Sequence, residues 1–175
     1  MNGRLDTVDD RPALRFERRL SHPVERVWRA ITEPEDLRHW FPGVPRFTLE
    51  KGAEFVVEGD TGGTGRILAL DPPHVLDFTW NGDRLRFELA PDGDGCVLTF
   101  LHAFDDRDHA ARDAAGWELC FDRLEAQLAG SPLDEHAALE RWPALHERYA
   151  EAFGVDPEVG RRAYAEHPTQ QSRGS

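Results

Sequence analysis

The feature that most restricts the possible folds is a series of short apolar segments between residues 44 and 104, each separated from the next by turn-forming residues. Apolar runs bounded by Gly, Pro, Asn and Asp are typical of β-strands joined by tight turns. The clearest turn is Asn81-Gly82, since both residues tolerate the positive φ angles of a two-residue hairpin. Consecutive strands of this kind pair antiparallel. The predicted strands of this meander are 46–50, 54–58, 65–70, 75–80, 85–89 and 96–104.

The segments on either side of the meander follow other patterns. Before it, residues alternate in character, with Leu14 and Phe16 on one side, as in a half-buried strand. Short amphipathic helices are predicted after Pro23 and after Pro34, because proline is favoured in a first helical turn. Residues 110–128 have a helical period with one apolar stripe, which we expect to be buried. The order predicts an α+β fold in which a seven-stranded curved antiparallel sheet wraps around a long C-terminal helix.

Helix-ending residues divide the chain of 175 residues into one domain and a tail. Gly130 is placed to end the long helix, and we expect the protein truncated after it to stay folded. Pro143 should separate two helices in the tail, and a further helix should begin near Pro157. The predicted parts are a domain at 13–130, a helical extension at 131–167, and flexible ends at 1–12 and 168–175.

Charge and cysteine content restrict the partners and the compartment. The formal net charge is −12, from 33 acidic and 21 basic residues, and such a field repels phosphate backbones and anionic lipid surfaces. The two cysteines lack a CxxC spacing and indicate neither a zinc site nor a disulfide framework. No segment has the apolar length that spans a bilayer, and the first residues include no apolar signal region. We therefore expect a cytoplasmic protein with no nucleic-acid partner, no membrane insertion and no cofactor. The sequence identifies no protein partner.

A strongly bent sheet cannot close completely onto one helix, so either large side chains or a ligand must fill the space between them. The candidates for ligand contact are large residues at inward strand positions, residues of the helix stripe, and tryptophans of the short helices. Core packing explains each of them as well, since aromatic residues at strand and helix spacing mostly serve packing. The candidates are Trp28, Trp40, Phe55, Val57, Phe78, Trp80, Phe87, Leu98, Phe100, His102, Trp117, Phe121 and Leu124.

Two polar side chains fall at inward strand positions, where burial without a partner costs several kcal/mol by rough estimate. His102 shares its strand face with Leu98 and Phe100, and its imidazole could hydrogen-bond a ligand carbonyl or hydroxyl. The alternative is a core histidine satisfied by backbone or by the acidic loop that follows. Arg18 has the inward parity of the first strand, although it lies near the strand end and can extend its charge outward.

An acidic cluster precedes the long helix, at Asp105, Asp106, Asp108 and His109. The spacing of a helical calcium loop is missing, and carboxylates before a helix are explained by the helix dipole. We therefore predict no metal site. The chain also has no nucleophile-elbow motif, no phosphate-binding glycine loop in the required context and no HExxH, so no catalytic residue is predicted.

Three segments of the chain together resemble one known family. They are PVERVWRAITEPEDL at 23–37 with WFP at 40–42, GRIL at 65–68 with PP at 72–73 and FTW at 78–80, and LTFLH at 98–102 with GW at 116–117. This combination resembles the family of activator of heat-shock-protein-90 ATPase homologues, within the START-like polyketide cyclase and lipid-transport superfamily. The resemblance covers roughly 14–128 and implies a helix-grip fold with a hydrophobic cavity. The co-chaperone role belongs to a eukaryotic relative, and no residue pattern here indicates a chaperone-binding surface.

Three hypotheses for function follow. The leading one is a binding protein that holds an apolar or aromatic small molecule under the helix of Trp117, with the two short helices as a rim. The second is an enzyme of the cyclase or aromatase type, in which His102 shuttles a proton within the same cavity. The third is a protein-interaction module, which a solidly filled cavity would favour.

Overall fold

A computed structural model describes residues 2–59 and 61–166. Within these residues the chain forms an eight-stranded antiparallel sheet and helices on its inner face. The strands are β1 (Arg4–Val8), β2 (Arg11–Leu20), β3 (Val44–Pro45), β4 (Glu54–Glu58), β5 (Thr64–Asp71), β6 (Val75–Trp80), β7 (Asp83–Asp92) and β8 (Gly95–Ala103). The helices are α1 (Val24–Thr32), α2 (Pro34–Leu37), α3 (Ala110–Leu128), α4 (Glu135–Leu139), α5 (Trp142–Phe153) and α6 (Glu158–Ala165), with a 3₁₀ turn at Arg107–His109.

The strand order across the sheet is β1-β2-β8-β7-β6-β5-β4-β3. Strands β4 to β8 are therefore a meander, as the segment pattern predicts, and β2 pairs with the last strand of the meander. Helix α3 lies across the inner face, where its Trp117 ring packs 4.5 Å from Phe100 of β8 and its Phe121 ring 5.3 Å from Phe16 of β2. The predicted α+β helix-grip architecture is confirmed.

The Asn81-Gly82 turn joins β6 to β7 as predicted. Asn81 has φ 51° and Gly82 has φ 94°, both in the left-handed region that the mirror-image hairpin turn requires. The turn sets the register in which Phe78 lies opposite Leu85 and Leu76 opposite Phe87. The inward face of these two strands is consequently apolar except beside the turn, where Asp83 lies opposite Trp80.

An additional edge strand corrects the predicted count of seven strands. Arg4–Val8, which the sequence placed in a flexible end at 1–12, pair with β2 along their whole length. The turn between the two strands is Asp9-Asp10, with φ angles of 50° and 61°. Aspartate tolerates the left-handed region, but it signals a hairpin less clearly than Asn-Gly. The other predicted flexible end, 168–175, lies outside the described residues.

The segment 46–50, predicted as a strand, leaves the sheet instead. Only Val44–Pro45 form β3, and the ladder stops after the Arg46 N–H donates to the Val56 carbonyl. Phe47 then turns inward, where its ring packs 4.8 Å from Phe55 and 5.2 Å from Phe78. Burial of this aromatic ring replaces further strand pairing.

The helical extension packs into the same hydrophobic core as the sheet and α3. In α5, Tyr149 is fully buried, and Trp142 and Leu145 are each 7% exposed. Helix α5 itself begins at Trp142, so Pro143 lies in its first turn and the break between α4 and α5 falls just before it. The core is therefore continuous across the predicted boundary at residue 130.

A buried polar network explains how α5 attaches. Glu118 lies off the apolar stripe of α3, yet it is only 5% exposed because α5 covers it. The Tyr149 hydroxyl donates to the Glu118 carboxylate and accepts from the Gly3 N–H at 2.9 Å. Asn2 N–H donates to Glu118 at 3.0 Å, and Arg18 of β2 lies 3.5 Å from the same carboxylate. The network joins β2, α3, α5 and the residues that lead into β1.

Candidate functional site

The space between sheet and α3, predicted to hold a ligand, is filled by aromatic side chains. Trp40, Phe100 and Phe121 have no accessible surface, so no water-sized space adjoins them. The Trp40 ring lies 6.2 Å from Phe87 and 6.1 Å from Phe121, while its indole N–H donates to the Ala30 carbonyl at 2.8 Å. In this structure the interior is a packed core, which is the outcome that favours the protein-interaction hypothesis over a ligand held between sheet and helix. Any ligand site must lie outside this interior.

The predicted site residues separate into two groups. Those with at most 9% exposure that pack within the core are Trp28, Trp40, Val57, Phe78, Phe87, Leu98, Phe100, Phe121 and Leu124. Phe55 is also buried and borders an open groove between β4 and β5. The structure brings Trp80, His102 and Trp117 together, at one end of the sheet where the inner face opens to solvent. These three residues are the part of the predicted set that lines a cleft beside α3.

His102 is held between two partners rather than presented to a ligand. The Trp117 indole Nε1–H donates to His102 Nδ1 at 3.0 Å, and His102 Nε2 lies 2.8 Å from Asp83 Oδ2. An indole nitrogen only donates, so Nδ1 must accept and Nε2 must carry the hydrogen that Asp83 accepts. Both ring nitrogens are engaged. The predicted alternative of a satisfied core histidine describes this geometry, with Asp83 and Trp117 as the partners.

Two adjoining clefts lie along α3, the first where the inner face of the sheet opens to solvent and the second on the side of the helix that faces the C-terminal helices. The first, which we name the mouth cleft, has a volume of about 370 Å³ and is lined by residues that include Trp80, Asp83, His102 and Trp117. The second, the extension cleft, measures about 480 Å³ and lies between α3, the loop after α2 and the C-terminal helices. The residues that line both are Pro42, Thr61, Arg112, Gly116 and Cys120. We call the two together the paired cleft.

The extension cleft has a mainly apolar wall built from three parts of the chain. Phe41 contributes from the loop after α2, Leu119 from α3, and Leu139, Trp142 and Tyr164 from the C-terminal helices. Trp142 and Tyr164 stack with ring centroids 5.0 Å apart and planes 6° from parallel. Apolar clefts of several hundred Å³ with a few polar groups are the usual form of small-molecule sites.

Behind this wall a histidine completes the aromatic stack. The His146 ring lies 4.7 Å from Trp142 on α5, and burial lowers the pKa of the imidazole below its usual value. Gly160 of α6 leaves room for it, since a Cβ there would come within 2.0 Å of His146 Nε2. The stack therefore fixes the orientation of Trp142 at the cleft surface.

Gly116 is the residue of α3 that keeps the paired cleft open. It lies in the middle of the helix, and a Cβ added to it would meet nothing within 4 Å. Glycine inside a helix costs about 1 kcal/mol relative to alanine. The structure thus has unfilled space at a position where a larger side chain would also favour the helix.

The charged residues at the end of β8 have ordinary structural roles. Asp106 accepts from the Asp108 N–H at 3.0 Å and so caps the 3₁₀ turn before α3. Asp105 pairs with Arg11 at 2.9 Å. Within residues 2–59 and 61–166, no group of three or more His, Cys, Asp or Glu side chains is arranged to hold a metal ion.

In the same residues, no helix combines the length and apolar character needed to cross a bilayer.

The sequence interpretation missed the cleft residues supplied by the extension and by the outer side of α3. Leu119 and Cys120 lie off the predicted apolar stripe, but the approach of α4 and α5 to that side covers them. Trp142 is absent from the residues that the sequence analysis proposed for ligand contact, although it forms part of a cleft wall. The available signal was the apolar content of α3 outside its stripe, which exceeds what one buried face requires.

Comparison with known families and structures agrees with this architecture. The family model described as Activator of Hsp90 ATPase homolog 1-like protein matches residues 21–129. No curated protein matches the chain significantly. Solved structures similar to this chain come from several bacteria.

The crystal structure of CalU16 from Micromonospora echinospora has 26% sequence identity and a TM-score of 0.71, with 85% of this chain and 94% of that chain covered. Protein MLL2253 from Mesorhizobium loti has 29% identity and a TM-score of 0.60, covering 69% of this chain and 99% of that one. EF2215 from Enterococcus faecalis shares the fold, at 19% identity and a TM-score of 0.71, with 87% and 90% covered.

Proposed function

The chain belongs to the Activator of Hsp90 ATPase homolog 1-like family, and from that premise we propose that it binds an apolar or aromatic small molecule in the paired cleft. The fold supplies a rigid sheet, with α3 as one wall of the site. The observation that supports this proposal most strongly is the open space at Gly116, in the middle of α3 and lining both clefts. A ligand there would contact Trp117 on one side of Gly116 and Leu119 on the other.

The proposed site differs from the one expected from the sequence. That site lay between Phe87, Phe100 and Phe121, whose close contacts fill the interior. A ligand can enter the paired cleft without displacing any of these rings. Trp80, His102 and Trp117 remain part of the proposed site, at its mouth end.

The test uses a variant that fills the cleft and a matched control on the same helix. Gly116→Leu places a side chain into the open space, while Ala129→Leu adds the same side chain at an exposed position where α3 ends. Tryptophan fluorescence and thermal unfolding report binding of flavonoid, fatty-acyl and polyketide-like compounds. A compound at 100 times its Kd stabilises the protein by about 2.7 kcal/mol.

We expect binding to the unmodified protein and to Ala129→Leu, and its loss in Gly116→Leu. The Gly116→Leu protein should unfold at the same temperature or higher, because leucine favours the helix by up to about 1 kcal/mol over glycine. Binding that survives in Gly116→Leu would place the site elsewhere. No response to any compound would contradict ligand binding and favour the protein-interaction hypothesis.

The cyclase hypothesis receives no specific support from the site. It requires His102 to offer a free ring nitrogen to a substrate, whereas Trp117 and Asp83 occupy both nitrogens. In the proposed binding site His102 instead orients the Trp117 indole at the mouth of the paired cleft.

A further inference from the structure

One cationic side chain in the extension cleft differs from the others in its burial. The Arg38 and Arg112 side chains are 47% and 36% exposed, and each is paired with an acidic neighbour, Glu35 and Asp113 respectively. The Arg123 side chain is only 10% exposed. A buried guanidinium requires hydrogen-bond partners for its donors, because its desolvation is otherwise uncompensated.

The donors of Arg123 are incompletely used. The Nη2 group donates to Glu135 Oε2 at 3.2 Å, and the neighbouring Nε–H, on the same edge of the guanidinium, is buried without a partner. That edge has the two parallel donors that match a carboxylate. Glu135 therefore satisfies one half of a two-donor edge.

Other arginines in this protein show the complete arrangement. Arg84 donates from Nε and Nη2 to the two oxygens of Asp77 at 3.0 and 2.7 Å. Arg161 donates from the same two atoms to Glu147 at 2.7 and 2.8 Å. Arg123 lacks the second of these two hydrogen bonds, as does Arg18, whose Nε is also buried without a partner but lies in the network around Glu118 and not in the cleft.

The Glu135 side chain can readily break its hydrogen bond with the Arg123 guanidinium. Its side chain is 65% exposed and lies in the first turn of the short helix α4, so it can rotate into solvent. The nearby Cys120 thiol does not compete as an anion, because burial raises its pKa to about 12. An incoming planar anion would find two parallel donors beside the apolar wall, while the other charged residues of the cleft, Arg38, Glu58 and Arg112, are paired with Glu35, Arg46 and Asp113.

We propose that the ligand of the extension cleft carries a carboxylate, which binds both Nε and Nη2 of Arg123 and displaces Glu135. This inference rests on the proposed function and specifies the chemical class of the ligand. The apolar part of such a molecule would lie over Gly116 and Leu119 and against Trp142. Glu135 occupies the anion position when the cleft has no ligand and so lowers the apparent affinity for weak anions.

The experiment compares 2-naphthoate with 2-naphthamide, a neutral molecule of nearly the same shape, by isothermal titration calorimetry. We expect the unmodified protein to bind the carboxylate at least about tenfold more tightly, as an extra charged hydrogen bond provides. Glu135→Gln removes the competing carboxylate at an exposed position. It should tighten naphthoate binding severalfold and leave naphthamide binding unchanged.

Two further variants, one that keeps the charge of the cleft and one that lowers it, distinguish the two-donor edge from the general field of the cleft. Arg123→Lys keeps the charge but lacks the two-donor edge, and it should lose the preference for naphthoate. Arg112→Gln removes a positive charge from the cleft, but the Arg112 Nε–H is already paired with Asp113. This variant should keep most of the preference for naphthoate over naphthamide. Thermal unfolding of each variant confirms that it is folded.

The possible results distinguish failure of the carboxylate inference from failure of the proposed function. Equal affinity for naphthoate and naphthamide, or an unchanged naphthoate affinity in Glu135→Gln, would overturn the carboxylate inference and leave the proposed function standing. Failure of both probes to bind, together with no response to the flavonoid, fatty-acyl and polyketide-like compounds, would contradict the proposed function itself, and the inference with it.

Discussion

The buried contact between Tyr149 and Glu118 offers a quantitative test of how the extension is attached. Tyr149→Phe removes the hydroxyl that donates to the Glu118 carboxylate and accepts from Gly3 N–H. Tyr149 has no accessible surface, whereas Gly3 is half-buried and water can replace its lost partner. A hydrogen bond to a charged group contributes about 1.5 to 3 kcal/mol, so we expect a destabilisation of about 2 to 3 kcal/mol at pH 7.

The effect should depend on pH in a defined direction. Burial alone would raise the pKa of Glu118, but hydrogen bonds from Tyr149 and Asn2 and the charge of Arg18 leave that pKa below its usual value. A carboxyl with a lowered folded-state pKa contributes stability above its unfolded pKa of about 4.3. This contribution is lost as the pH falls through the folded-state pKa. The difference between Tyr149→Phe and the unmodified protein should therefore shrink to about 1 kcal/mol in acid.

Urea denaturation at pH 7 and at an acid pH below the folded-state pKa of Glu118, located by NMR titration of the folded protein, measures both differences. Tyr164→Phe serves as the comparison, because its hydroxyl donates to a neutral acceptor, the Leu139 carbonyl oxygen at 3.4 Å, and not to a carboxylate of the Glu118 network. A Tyr149→Phe effect below about 0.5 kcal/mol at pH 7, or one of equal size at both pH values, would refute the charged hydrogen bond as the main attachment.

Three further predictions concern the core and the mouth of the cleft. Trp117→Ala should destabilise the protein by about 3 to 5 kcal/mol in denaturant unfolding, since the ring is buried against Phe100, and a value under about 1 kcal/mol would contradict that packing. Truncation after Gly130 should abolish cooperative thermal unfolding, because the extension supplies Trp142 and Tyr149 to the common core, and a sharp transition in the truncated protein would show that the core is separable. Nitrogen-15 NMR of His102 should show hydrogen on Nε2 and none on Nδ1, and the opposite tautomer would contradict the Trp117 hydrogen bond.

The sequence predicts local structure well where a single physical signal dominates. Residues 110–128 form a helix with the predicted bounds because one apolar stripe and a following glycine define it. The Asn81-Gly82 turn forms for the same reason, since few residue pairs adopt two positive φ angles. In contrast, β1 depends on an Asp-Asp turn and has polar residues, so its pairing becomes evident only with β2 beside it.

The candidate site was less predictable because it depends on how separate segments meet. Inward parity correctly placed Phe87 and Phe100, but parity does not show that Trp40 from another segment fills the space between them and α3. Likewise, Glu118 has the position of a solvated residue on an isolated α3 and becomes buried only under α5. Packing between distant segments, rather than local propensity, determines where the open space remains.

The most direct test of the central claim uses the indole N–H signals of the five tryptophans in a nitrogen-15 correlation spectrum. When an aromatic compound that binds the protein is added in increasing amounts, the signals of Trp117 and Trp142 should shift, because these residues line the paired cleft. The signal of Trp40 should stay in place, since its indole is fully buried and bonded to the Ala30 carbonyl. A large shift of Trp40 with Trp142 unchanged would show that the ligand enters the interior instead and would contradict the proposed site.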